Sequence, residues 1–174
     1  MARKLPLSRL FSTSPEFLTL EIADKIANRA IDEAKKLKLA PITVCVADSV
    51  GRVIVQKRMD FCANGPAAYA VVKATTCVAM NCSTRSLKER YADRQGQLTS
   101  MIALTPGGFA PFPGVIIMIR ENLRDTRRII GAVGVSGASA DEDEHCALVG
   151  AHGKLLTSRN KFNICRKDHA TFCL

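Results

Sequence analysis

Tryptophan is absent from this 174-residue chain, and the other aromatics are two Tyr and seven Phe. So few flat side chains argue against an aromatic stacking platform for single-stranded nucleic acid. No run of apolar residues is long enough for a membrane-spanning helix, which excludes that class of anchor. No CxxC pair occurs among the seven cysteines, and their odd number and irregular spacing exclude a disulfide framework. The histidines, His145, His152 and His169, do not stand at finger spacing from any Cys, so no metal site is expected. Acid is missing from the first fifteen residues. Of the net charge of +9, +3 falls in residues 1–15, +4 in residues 153–174 and only +2 in the body between them. A nucleic-acid groove built into the fold would need the reverse, so no nucleic-acid partner is expected.

What is present suits one globular domain. Hydrophobic residues make up 47% and charged residues 24% of the chain, which excludes wholesale disorder. Residues 1–15 are basic and rich in Ser, with an Arg-x-Phe-x-x-Ser pattern at Arg9, Phe11 and Ser14. They read as a mitochondrial transit peptide, hence a matrix location. The alternative is a disordered basic arm on a cytoplasmic protein. The domain spans 16–152, and residues 153–174 read as a basic polar tail hanging off it.

Thr19 is placed to cap a helix running to about Leu39, with Ile22, Ile26, Ala30, Ala34 and Leu37 as its apolar stripe. Residues 42–47 and 52–59 form two strands joined at Asp48-Ser49-Val50-Gly51, too short a link for anything but a hairpin. Asn64-Gly65-Pro66 opens a second helix to Met80, in which Lys73 is the sole charge from Ala67 onward. A polar helix follows over 85–94, then a Gly/Pro-rich loop over 104–114, strands over 115–119 and 128–136, and a helix over 140–151. Ser139 and Glu142 form a capping box for that last helix. Two hairpins separated by helices predict an α+β fold, an antiparallel sheet with helices packed on it.

Lys73 is the most informative side chain. A lone ammonium in so apolar a helix must snorkel, pair with a carboxylate such as Asp48 or Asp60, or hold an anionic ligand. Asp48 also suits a plain turn, and Arg58 with Asp60 an exposed ion pair of little weight. The acids at 141–144 suit a helix N-terminus. Asp143, next to the capping Glu142, projects in another direction and is the one placed to face inward. Gly134-Val135-Ser136-Gly137-Ala138 lacks the last glycine of a hydrolase elbow and reads as a closely packed strand end.

Taken in order, Val44 to Gly51, Arg58-Met59-Asp60, Lys73-Ala74-Thr75-Thr76, Thr84, the Gly/Pro loop, Ile130 to Gly137, Glu142-Asp143, Cys146-Ala147 and Gly150 resemble the GlcG/HbpS-like, or heme-degrading domain, family. That domain also forms the C-terminal part of PduO-type corrinoid adenosyltransferases. The resemblance covers about residues 17–152. It implies a profilin-like α+β sandwich that forms homo-oligomers, with heme or a related tetrapyrrole as ligand in some members. Family-typical polar positions fall on Asp48, Arg58, Asp60, Lys73, Thr76, Thr84, Gly107, Gly108 and Asp143, expected around one pocket near the strand ends and the Gly-rich loop. Two departures stand out. The loop enters its strand as Pro113-Gly114-Val115-Ile116 rather than Gly-Gly-x-Pro, and residues 17–40 hold no His to match the axial ligand of some heme-binding members.

Three functional readings follow. The first is a heme or tetrapyrrole binder, with Lys73 or Arg58 on the propionates and Cys77, Cys82, His145 or another donor on the iron. The second is a small enzyme acting on an anionic organic acid, with Lys73 holding the carboxylate and Asp143 or Asp60 as acid/base. The third is a ligand-free oligomeric accessory protein with the 67–80 helix as its interface.

Overall fold

Thr19 caps the first helix as its position predicts: its hydroxyl accepts the Ile22 N–H at 3.3 Å, and α1 runs Leu20–Lys36. The computed structural model describes residues 18–121, 127–152 and 162–164. The transit-peptide reading of residues 1–15 lies outside them. After α1 come β1 (Thr43–Asp48), β2 (Val53–Arg58), α2 (Asn64–Met80), α3 (Thr84–Arg90), α4 (Gln95–Leu104), β3 (Val115–Glu121), β4 (Arg127–Ser136), α5 (Ala140–His152) and β5 (Phe162–Ile164).

The strands form one sheet in the order β2-β1-β4-β3-β5, antiparallel throughout. Alternation along the strands sorts the core into two layers. Val44, Val46, Val133 and Val135 point to α1 and α5, while Cys45, Ala47, Ala132 and Val115 point to α2. The result is a sandwich with helices on both faces of an antiparallel sheet, the expected α+β class. Small residues set the spacing. A Cβ on Gly134 would strike the carbonyl oxygen of Ala70 in α2, and one on Gly137 that of Pro41. The 134–138 segment is therefore a tightly packed strand end. A third cluster, Cys82, Leu87, Tyr91 and Phe109, lies beneath α3 and α4, with Tyr91 and Phe109 edge to face at 6.4 Å between centroids.

Three sequence expectations need correction. α4 occupies 95–104, where no helix was expected; it buries none of its residues and has no side-chain cap, so it carries neither of the usual sequence marks. The basic tail does not simply hang free: Phe162–Ile164 pairs with Met118–Arg120 at the β3 edge. Leu37 is exposed rather than part of the stripe, because α1 ends at Lys36 and Leu37 is its C-cap. Among the described residues no helix is long and apolar enough to cross a membrane. The five cysteines described, Cys45, Cys62, Cys77, Cys82 and Cys146, are all buried. Burial pushes the Cys45 thiol up to about 12 and that of Cys146, with acids nearby, up to about 11.

Candidate functional site

Lys73 does not snorkel. It is 5% exposed, and its ammonium donates to Val135 O at 2.9 Å and to Asp143 Oδ2 at 3.1 Å. Its partner is neither Asp48 nor Asp60. Asp143 is 2% exposed, and its other oxygen accepts the Ala138 N–H at 3.0 Å. The pair joins opposite layers: Lys73 lies on α2, Asp143 on α5, and the bridging carbonyl belongs to β4 between them. Burial pushes the Asp143 carboxyl above the usual range, while Lys73 and the amides of Ala138 and Gly137 pull it part of the way back.

Gly114 seals this pair. Its φ of +126° is one that L side chains rarely adopt, and a Cβ there would lie 2.7 Å from Val135 O, 2.8 Å from Lys73 Nζ and 3.0 Å from Asp143 Cβ. The Pro113-Gly114 entry to β3 thus lets the backbone pass over the ions. The loop leading to it is fastened to α2 at two further points. Thr76, buried, accepts the Ala110 N–H at 3.0 Å, and Gly108 packs against Val72. Just before these anchors Gly107 has φ +81° and open space beside it, and the loop is flanked by Leu104 and Phe112, 80% and 59% exposed.

The other expected positions do not join this group. Asp48 serves the hairpin turn, its Oδ1 accepting the amides of Val50 at 2.9 Å and Arg52 at 2.8 Å. Arg58 and Asp60 do not pair with each other. Arg58 donates to Asn64 Oδ1 at 2.6 Å at the start of α2, and both Arg58 and Asp60 are exposed. Thr84, the first residue of α3, is buried with its hydroxyl lacking a hydrogen-bond partner among the described residues. The single expected pocket therefore resolves into an ion pair under the loop, a structured turn, an exposed patch at the β2–α2 link and an orphan hydroxyl. The reason is topological: β2 is an edge strand, so its end lies away from the β3–β4 junction.

Of the proposed iron donors, His145 lies on the α1 side of the sheet, 3.0 Å from Glu33 Oε1. Cys77 is buried between α2 and the sheet, and Cys82 sits in the cluster with Phe109. Arg85 is a residue that sequence reasoning passed over. It bonds Glu144 Oε2 through Nε at 2.6 Å and also pairs with Asp141, tying α3 to the first turn of α5. Lys73 and Arg85 thus hold that turn from two sides. The acid run fits its expected role as well, since Ser139 and Glu142 form the capping box. Chemically, Lys73 and Asp143 converge, as the anionic-acid reading requires, but each charge is spent on the other. The open surface is the apolar, glycine-bearing loop above them.

Comparison with known proteins adds an independent line. The family model for "Haem degrading protein HbpS-like" matches residues 18–152. The corrinoid adenosyltransferase PduO of Salmonella typhimurium is 26% identical over 131 residues, covering 75% of this chain and 37% of that protein. The chain therefore spans little more than a third of that relative. A crystal structure of a PduOC:heme complex superposes with a TM-score of 0.67 at 25% identity, over 78% of this chain and 93% of that one. A crystal structure of HbpS gives 0.65 at 30% identity, over 80% and 92%. The Klebsiella pneumoniae protein ORFY shares the fold at 22% identity and TM-score 0.66, over 81% and 94%.

Proposed function

The chain belongs to the HbpS-like family, and on that premise we propose that it binds heme or a related tetrapyrrole against α2 and the 105–114 loop. The observation that carries this reading is the loop itself. It is pinned from below by Val72, Lys73 and Thr76 and carries an unobstructed glycine between two exposed apolar side chains. A flat macrocycle needs a pre-formed apolar surface of this kind, with few polar groups to orient it. That a PduO C-terminal relative of the same fold has been crystallised with heme supports the choice of ligand.

The donor set on this side fits a tetrapyrrole in part. The buried Thr84 hydroxyl has no partner among the described residues, and the Cys82 thiol lies beneath the loop in the Phe109 cluster. His145 is on the far side of the sheet and plays no part. Heme, when bound, supplies a redox-active iron and a strong visible chromophore. The protein's contribution is the surface, and the Lys73–Asp143 pair acts as its frame rather than as a propionate anchor.

Titration of the purified chain with hemin tests this. A sharp Soret band saturating at one equivalent per chain, weakened by Gly107→Glu, is the expected result. A featureless rise without saturation overturns it.

A further inference from the structure

We infer that Cys77 and Cys82 form a dithiol site at the C-terminal end of α2, closed to a disulfide by exchange with low-molecular-weight disulfides such as oxidised glutathione. The local backbone brings the two together. Asn81 takes the left-handed conformation, φ 53° and ψ 30°, and ends the helix. Its N–H bonds Val78 O at 3.2 Å, and the Cys82 N–H bonds Cys77 O at 3.3 Å. These two bonds make the Schellman ending of a helix, in which the side chains at the two ends of the closed turn frequently meet. Here both of those side chains are cysteine. A chain folded back by such a bond holds its two Cα atoms within the span of a disulfide, about 4.4–6.8 Å.

The surroundings decide which thiol reacts first. Cys77 packs on the sheet with Cys45, Ala47 and Ala132. Cys82 lies with Leu87, Tyr91 and Phe109, under a partly exposed cover of Met80 from α2 and Leu98 and Met101 from α4. None of the α4 residues is fully buried, so two side chains hold α4 down, a contact that opens locally far more often than the core. Opening gives a small disulfide access to Cys82. The Cys82 thiolate attacks one sulfur of glutathione disulfide, and one glutathione thiolate leaves. Cys77 then attacks the Cys82 sulfur, and its proton goes to the second departing glutathione. Two protein thiols are oxidised to one disulfide, and one glutathione disulfide is reduced to two thiols. Closure turns the Cys82 sulfur away from Phe109, whose neighbour Ala110 is fastened to Thr76, and so loosens the loop. No tetrapyrrole takes part in this step, which stands or falls apart from the ligand reading.

Peptide mapping of the folded full chain tests it. Trypsin cuts after Lys73 and Arg85 and leaves both cysteines in one peptide, residues 74–85. The native chain is incubated with oxidised glutathione at pH 8 and then alkylated in denaturant. Most of this peptide should be recovered unalkylated and two hydrogens lighter, while Cys45 and Cys146 are alkylated. Cys77→Ala should leave Cys82 carrying glutathione, and Cys82→Ala should leave Cys77 reduced. Phenylarsine oxide, which joins two neighbouring thiols with loss of water, should add once to the reduced wild type within the same peptide, a result that needs no variant to fold. Hydrogen exchange at the Ala110 amide should be faster in the bridged chain than in the reduced one. Both cysteines alkylated, a Cys45–Cys77 bridge, or glutathione retained on Cys82 of the wild type would overturn the dithiol site. An Ala110 amide indifferent to the bridge would overturn its effect on the loop.

Discussion

Replacing Lys73 by Met keeps the length and apolar stem of the side chain and removes only its charge. The consequence follows from geometry. At 3.1 Å, with an effective dielectric constant of about 20, the attraction to Asp143 is about 5 kcal/mol. Much of it offsets the desolvation of two buried ions, so the pair's net contribution to stability is small. Removing one partner is different. Asp143 is left ionised, buried and facing the Val135 carbonyl, at a cost of about 3–5 kcal/mol. For a domain of this size that lowers the melting temperature by about 10–20 °C. The sign of the pH dependence sharpens the test. Burial already lifts the folded-state Asp143 carboxyl above its ordinary value, and loss of the ammonium lifts it further. A group with a raised folded-state pKa contributes stability below its unfolded pKa and loses it as pH rises through the folded one. The Lys73→Met deficit should therefore be largest at neutral pH and shrink toward pH 5. Adding Asp143→Asn, which keeps an acceptor for the Ala138 amide, should recover at least half of the loss. Thermal melts of the two single variants and the double variant across this pH range provide the measurement. A single variant within about 1 kcal/mol of wild type, or a deficit that grows on acidification, would refute the reasoning.

Three further outcomes are expected. Gly114→Ala forces a side chain onto the ion pair at φ +126°, so it should cost about 1–3 kcal/mol from the backbone conformation alone in a denaturant titration. Thr76→Val orphans the Ala110 amide, costing about 1–3 kcal/mol, and hydrogen exchange at Ala110 should accelerate while that of the β1–β4 core stays unchanged. At pH 8 the thiols of Cys45 and Cys146, pushed up to about 12 and about 11, should resist a disulfide reagent in the native state and react once the chain is unfolded, as peptide mapping would show.

The sequence was legible where one physical demand had few solutions. A solitary amine in an apolar helix had to snorkel, hold an anion or find a carboxylate, and the carboxylates named for it were Asp48 and Asp60; it meets Asp143 instead, the acid expected to turn inward beside a capping Glu142. The hairpin was readable because Asp48 and Gly51 each do a specific job in a tight turn. The family's polar positions were harder to assemble. Arg58 and Asp60 are two residues apart at a strand exit, and only the sheet order shows that β2 is an edge, away from the β3–β4 junction. Gly114 carries no sequence mark of its role, which depends on what lies beneath it. α4 escaped because none of its residues is fully buried and only Leu98 and Met101 pack against the core, too few to impose a clear periodic signal. β5 escaped because three paired residues are too few to stand out in a basic segment. Arg85 was missed because the acids it clasps already had a sufficient explanation at the α5 N-terminus.

The most direct test of the account is to locate the tetrapyrrole. Addition of diamagnetic gallium protoporphyrin IX to isotopically labelled protein, read through backbone amide shifts, reports each residue near the ring. The account predicts that the perturbed amides cluster in residues 68–76 of α2 and 105–114 of the loop. Shifts confined to α1 and α5, around Glu33 and His145, or an unchanged spectrum at saturating ligand, would contradict it.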